Sequence, residues 1–311
     1  MRRSSNVRSV AAQSEPDGLA EALLGGPRHL TGDEVSELAG LERHEADALW
    51  QALGFPHLGE DVAFADGDVD ALRLARELMD ADVVGPDLQL ALARVLGRTM
   101  AGLAETQVGL AYEAAQRGAI SDPTELTTTM RQLQDYVWRR HLLAASERLA
   151  VRAPEDGVAV SVGFTDLVSY TARSREMSTA DLAALLDGFE ARAQQTVVEG
   201  GGRMIKTLGD EVMWVVDDPR SAVDIALALT DPEVRTGVAY GPTLVRAGDH
   251  YGPTVNLAAR LTGLARPGTV LIDRELTDRV EDSPQLRLRH LRPVSVRGYD
   301  HLRATAVTRR A

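Results

Sequence analysis

The segment Ala153-Pro154-Glu155-Asp156-Gly157 separates two stretches of chain with different hydrophobic periods. Proline and glycine this close together end a helix and open a linker. Upstream, apolar residues recur at three- and four-residue intervals, the spacing of a helix face. Downstream, short β-branched runs alternate with helical spacing. At 311 residues the chain is long enough for two domains, each with its own core. The expectation is an α+β protein in four parts. A disordered leader covers 1–16, a helical domain 17–123, a long helix and linker 124–156, and a strand-and-helix domain 157–311.

The upstream half reads as successive helices packed into an all-α bundle. Thr31-Gly32-Asp33-Glu34 is a capping-box pattern that opens the apolar spacing Val35, Leu38, Ala39. A second helix is predicted over 43–53, stopping at Gly54. A third begins near Asp68, with Val69, Leu72, Leu74 and Leu78 expected on its buried side. Two more, over 86–98 and 100–117, complete the bundle. Residues 124–150 form one long connecting helix. Its Leu126, Met130, Leu133 and Val137 follow the 4-3-4 spacing of a coiled-coil seam, with His141 next in line.

Downstream, 158–164 reads as a strand and 178–198 as a helix. Gly200-Gly201-Gly202 turns into a hairpin of 203–207 and 211–216, joined at Leu208-Gly209-Asp210. A helix over 220–229, strands over 234–240 and 243–247, a helix over 254–264, a strand over 269–272 and a β-rich tail over 286–308 follow. This βαββαβ order predicts a ferredoxin-like layer with one open sheet face packed by helices.

Composition removes several function classes. With no cysteine, the chain has no disulfide, thiolate zinc site or cysteine nucleophile, which fits a reducing cytoplasm. No apolar run is long enough to span a bilayer. The basic start Met1-Arg2-Arg3 leads into polar sequence rather than the apolar core of a signal peptide, so a cytoplasmic protein is expected. The net charge of −12 is unevenly spread: residues 31–90 hold 15 acids against Arg43, Arg73 and Arg76. Residues 30–75 could otherwise read as a winged or MerR-like helix-turn-helix. Duplex binding needs a cationic face to displace counterions, which this segment lacks, so no nucleic-acid partner is expected.

Of 34 basic residues, Lys206 alone is lysine; the other 33 are arginine. A compact ammonium and a planar guanidinium fork are not interchangeable in a tight site. Lys206 sits in Lys206-Thr207-Leu208-Gly209-Asp210-Glu211. Asp166, at the end of an apolar strand in Phe164-Thr165-Asp166, and Asp210, at the hairpin tip, are strand-end and turn carboxylates. Such groups converge when their strands are neighbours and suit a hard divalent cation; they equally suit turns that accept local N–H bonds. Asn256 and Arg260, at i and i+4 on an otherwise apolar helix, share a face and can address one ligand together.

Taken together, Phe164-Thr165-Asp166, the Lys206–Glu211 run, and Asp249 followed by Asn256 and Arg260 resemble the class III nucleotidyl cyclases over the whole C-terminal half. The resemblance implies an adenylate cyclase in which Asp166, Asp210 and the Leu167 carbonyl hold two divalent ions, Mg²⁺ or Mn²⁺. Lys206 and Asp249 would read adenine, one as donor to ring N1 and the other as acceptor from the 6-amino group. Asn256 would orient the ribose, and Arg260 would stabilise charge growing on the phosphates. Thr171, the backbone N–H groups before it, and Arg297 would contact phosphate oxygens. It also implies a homodimer whose sites are shared across the interface, and here Lys206 is expected to meet an Asp249 of the second subunit. Guanine presents the opposite polarity at the edge that Lys206 and Asp249 would read, so guanylate cyclase is the alternative, beside a catalytically weak cyclase-like sensor. Diguanylate cyclases carry Gly-Gly-Asp/Glu-Glu-Phe at the hairpin, where this chain has Leu208-Gly209-Asp210-Glu211-Val212.

The helical half resembles the regulatory domain preceding the catalytic domain in some actinobacterial class III cyclases of the autoinhibited, pH-sensing type. The residues carrying this are 52–56, 70–74, 95–98 and the long helix. The resemblance implies dimerisation, inhibition and a proton input; a lipid or fatty-acyl ligand in the helical bundle is the alternative input, on which the sequence is silent. His29, His44, His57 and His141 are its histidines. His141, placed on the apolar seam, is the one expected to become costly to bury when charged.

Overall fold

The computed structural model describes residues 21, 23–56, 61–81, 85–119, 123–151, 159–231, 233–296 and 298–310. The leader, His57, the 153–157 break and Arg297 lie outside the described residues. The chain divides into two compact units, Met1–Arg152 and Ala153–Ala311.

The first unit is all helix: α1 Gly32–Ala39, α2 Arg43–Ala52, α3 Asp66–Asp80, α4 Pro86–Gln116 and α5 Pro123–Val151. The capping box forms as expected. Thr31 Oγ1 accepts from Glu34 N–H at 3.4 Å, and the Glu34 carboxylate accepts from Thr31 N–H at 2.8 Å, an arrangement worth about 1 kcal/mol. The core gathers Val35, Leu49, Phe64, Val69 and Leu72 where α1, α2 and α3 meet.

Two expectations are corrected here. Leu74 and Leu78 are exposed, at 62% and 51%. Five residues of helix turn a side chain about 140° away, so Leu74 cannot share the face of Val69. The two helices expected over 86–98 and 100–117 are one helix, Pro86–Gln116; within it Gly97 is a close contact, where a Cβ would lie 2.1 Å from the Leu53 carbonyl oxygen. The seam of α5 lies open within the single chain, with Leu133, Val137 and His141 all exposed. The burial that the His141 expectation needs is absent among the described residues of one chain. No described helix is long and apolar enough to cross a membrane.

The second unit is built on a seven-stranded sheet of order β2-β3-β1-β4-β7-β11-β8. Its first four strands, β1 Ala159–Leu167, β2 Arg203–Leu208, β3 Glu211–Val216 and β4 Val234–Pro242, give the ferredoxin-like arrangement. β7 Val270–Ile272, β11 Thr305–Arg309 and β8 Leu286–His290 extend it. Between the strands run α6 Tyr170–Arg173, α7 Thr179–Glu199, α8 Pro219–Ala228, α9 Pro253–Leu264 and α10 Arg274–Val280. The strands β5 Leu244–Arg246 and β6 Asp249–Tyr251 form a hairpin outside the large sheet, and so do β9 Val294–Val296 and β10 Tyr299–Leu302.

Both faces of the sheet carry helices, which corrects the expectation of one open, helix-packed face. Side chains alternate across β3, and each set finds its own core. Val212, Trp214 and Val216 pack with residues of α7, α8 and α10, while Met213 and Val215 pack with Ala258 and Leu261 of α9. Two glycines set how close the layers come. A Cβ on Gly163 would lie 2.2 Å from the Trp214 ring, and one on Gly237 would lie 2.2 Å from the Thr262 nitrogen. Helix α9 thus rests directly on the backbone of β4.

Candidate active site

Asp166 is the penultimate residue of β1, flanked by Glu211 on β3 and Arg235 on β4 in direct cross-strand register. Cross-strand neighbours share a sheet face, so the three side chains form one row. Arg235 closes on Asp166, with Nε at 2.7 Å and Nη2 at 2.5 Å from the same Oδ2. The β2–β3 turn brings Asp210 to this row. Gly209 takes the left-handed conformation (φ 70°) that a tight turn requires, and Leu167 N–H donates to the Asp210 carbonyl at 3.0 Å. The strand-end and hairpin-tip carboxylates therefore do converge.

Negative charge is in excess here, three carboxyls against one guanidinium. Burial pushes the Asp166 carboxyl up; Arg235 opposes the shift and the Asp210 charge adds to it. Glu211 is pushed up to about 7, by burial first and then by Asp166 and Asp210, with Arg235 opposing. A pair of adjacent carboxylates held apart from full charge suits a divalent cation. Among the described residues no cluster of three or more His, Cys, Asp or Glu is arranged to hold a metal. Any further ligands would have to be backbone oxygens, water or a bound anion. Leu167, the proposed carbonyl ligand, is buried at the end of β1 opposite Val234.

Lys206 lies on β2 opposite Met213, whose neighbour across β1 is Phe164, two residues before Asp166. It therefore faces the same side of the sheet as the carboxylate row. Its Nζ is 2.5 Å from Asp249 Oδ2, and the Tyr251 ring centroid is 5.9 Å away. This corrects the expectation of an Asp249 drawn from a second subunit: the pair closes within one chain. The reason is the β5–β6 hairpin, which brings Asp249 back to the edge of β2; nothing in the local sequence pattern announces that approach. Burial pushes the Asp249 carboxyl up, but Lys206, the His250 N–H and the Tyr251 hydroxyl outweigh it and hold it below the usual carboxylate range.

Asn256 and Arg260 are both exposed on α9, and Arg260 has no ion-pair or hydrogen-bond partner among the described residues. Thr171 is exposed on the short α6, entered through Ser169 in the left-handed region (φ 59°). Leu167 and Val168 N–H donate to Asp210 and Glu233 carbonyls, so of the backbone donors preceding Thr171 those of Ser169 and Tyr170 remain available. Three residues of the site were missed by sequence reasoning: Arg235, Glu211 and Tyr251. Arg235 joins through strand register, which no motif encodes; Glu211 lies within the Lys206–Glu211 run, but only the register with Asp166 gives it a place in the site. Tyr251 stands two residues after Asp249 on a strand, and that alternation was the available signal.

The pattern that describes the adenylate and guanylate cyclase catalytic domain matches residues 153–308. The chain belongs to the class III nucleotidyl cyclases. An adenylate cyclase of Glutamicibacter nicotianae is 35% identical, the match covering 90% of this chain and 79% of the relative. An adenylate cyclase of Streptomyces coelicolor is also 35% identical, covering 84% and 75%. A protein of Mycobacterium tuberculosis named as a pH-sensitive adenylate cyclase is 30% identical over 85% of this chain and 75% of its own length. Each of these matches covers more of the chain than the cyclase domain alone and so extends into the helical unit.

Proposed function

We propose that the chain converts ATP to 3′,5′-cyclic AMP and pyrophosphate as a homodimer with two shared sites. The observation that carries this is the Lys206–Asp249 pair, a donor beside an acceptor at 2.5 Å, partly buried at the edge strand of the sheet. Adenine offers an acceptor at N1 beside a donor at its 6-amino group, and the pair is complementary to that edge. Guanine would leave both protein groups opposed by like polarity, which is why the guanylate reading is the weaker one.

Asp166, Asp210 and the Leu167 carbonyl are the groups that would hold two Mg²⁺ or Mn²⁺ ions. When bound, such ions stabilise the attacking and departing oxygens of an in-line displacement at phosphorus. Arg235, paired with Asp166, would add positive charge beside the phosphates. Asn256 and Arg260 are exposed on α9, and Arg260 has no ion-pair or hydrogen-bond partner among the described residues, which supports completion of the site by a second chain. Across such an interface Asn256 would align the ribose so that its 3′-hydroxyl faces the α-phosphorus. Arg260 would meet charge developing on the phosphate oxygens, and Thr171 and Arg297 would hold the triphosphate. The helical unit would regulate this site through a proton or a lipid.

The test is turnover of ATP and of GTP with Mn²⁺ and with Mg²⁺, with products separated chromatographically. Cyclic AMP and pyrophosphate in equal amounts are expected. Cyclic GMP as the main product, or no cyclic product from the full chain or residues 151–311, would overturn the assignment.

A further inference from the structure

Asp249 sits on a part of the molecule that has little to hold it. The β5–β6 hairpin has three residues per strand and stands outside the main sheet. A two-stranded hairpin of that size has no stability of its own in water. Its internal register is set by the turn, where Ala247 and Gly248 both have positive φ (55° and 78°), as a type I′ hairpin requires. That turn places Asp249 opposite Arg246. It does not place the hairpin on the body of the domain.

Placement comes from a different residue. All of β5 is exposed, and of β6 only His250 is buried, at 2%. Its Nδ1 lies 2.8 Å from Oγ1 of Thr243, which is itself buried at the root of the excursion. A second tie closes the same root, Thr254 Oγ1 donating to the Pro242 carbonyl at 2.8 Å. His250 N–H donates to Asp249 Oδ1 at 2.8 Å, and the other carboxylate oxygen takes Lys206. One continuous path therefore runs from Thr243 through the His250 ring and backbone to the Asp249 carboxylate. Lys206, by contrast, is fixed by the main sheet.

We infer that His250, latched to Thr243, is the positioning residue that sets Asp249 against Lys206 and thereby the nucleobase preference of the site. This rests on the adenylate cyclase reading above. His250 does not touch the nucleotide; it acts through Asp249. Loosening the latch lets the acceptor drift while the donor stays, so the complementarity to adenine weakens and the penalty against guanine weakens with it. Phosphate and ribose contacts, carried by other elements, are left as they were.

The experiment measures kcat and KM for ATP and GTP in wild type, Thr243→Val, His250→Leu and His250→Asn, with binding of fluorescent ATP and GTP analogues as a readout independent of turnover. Thr243→Val keeps the shape and removes the hydroxyl. His250→Asn restores a polar atom near the Nδ1 position. In Thr243→Val and His250→Leu the ATP-to-GTP ratio of kcat/KM should fall about tenfold, mostly through KM for ATP, with His250→Asn recovering most of it. An unchanged ratio in Thr243→Val, or equal losses on both nucleotides, would overturn the inference by leaving only a structural role. Thr243→Val decides if His250→Leu does not fold. A wild type that cyclises neither nucleotide overturns the adenylate cyclase reading and this inference together. A selective wild type beside equally selective variants overturns this inference alone.

Discussion

Because Lys206 and Asp249 meet within one chain, mixing inactive variants should distinguish which residues work together. In a two-fold dimer with shared sites, each site takes Asp166 and Asp210 from one chain and the Lys206–Asp249 pair from the other. Truncating Lys206 leaves a partly buried carboxylate unpaired, with only 20% of the Asp249 side chain exposed. A loss of about 1–3 kcal/mol, or roughly ten- to a hundredfold in kcat/KM, follows for each single variant. Co-expression of Lys206→Ala with Asp166→Ala, on different affinity tags, should give heterodimers in which one of two sites is whole. With random pairing about half of the dimers are mixed, so turnover should recover to about one quarter of wild type, above either parent. Lys206→Ala with Asp249→Ala should show no recovery, because both changes strike the same half-site. Recovery in that second mixture would refute the intrachain pair as the working unit. Failure of the first mixture, with heterodimers shown to form, would refute the shared site.

Arg260→Ala should lower kcat by about 10²–10³ with no change in thermal midpoint, since the side chain is exposed and has no partner among the described residues. Asp273, which caps α10 by accepting from Leu276 N–H at 3.1 Å and also from Tyr240 N–H at 3.2 Å, is pushed up to about 6, chiefly by burial. Between the ordinary aspartate value and 6 the folded state binds more protons than the unfolded one. Stability is therefore lost as pH rises through that window, by about 3 kcal/mol in all. Asp273→Asn keeps an acceptor oxygen and removes the charge, so denaturant unfolding should show it more stable than wild type at pH 8 and little different at pH 4. Gly97→Ala should destabilise the helical unit by about 1–3 kcal/mol, read by circular dichroism on heating, because its Cβ would meet the Leu53 carbonyl.

What could be read from the sequence was local or strongly patterned. The Thr31 cap, the β2–β3 hairpin with its Gly209 turn, and the strand order of the first four strands all follow from residue types at short spacing. The convergence of Asp166 and Asp210 followed as well, since neighbouring strands ending at one turn leave few alternatives. Contacts set by long-range register were invisible. Arg235 reaches Asp166 across 69 positions of sequence, and nothing near either residue marks the other. The continuity of α4 across residue 99 was not legible either, and the close approach of Gly97 to the Leu53 carbonyl belongs to a contact with a different element. The short α10 was missed for the opposite reason: seven residues carry too few apolar positions to show a period.

Helix α9 is joined to the sheet at backbone distance, with no cushion of side chains at Gly237, and Thr262 Oγ1 reaches the Phe164 carbonyl at 3.2 Å. Gly237 is two positions from Arg235 and Phe164 two positions from Asp166. The helix bearing Asn256 and Arg260 and the strands bearing Arg235 and Asp166 form a single stiff block, with no joint at which one could swing without the other. A displacement of α9 would therefore be carried to the ends of β1 and β4 as movement of the whole block rather than as bending between helix and sheet.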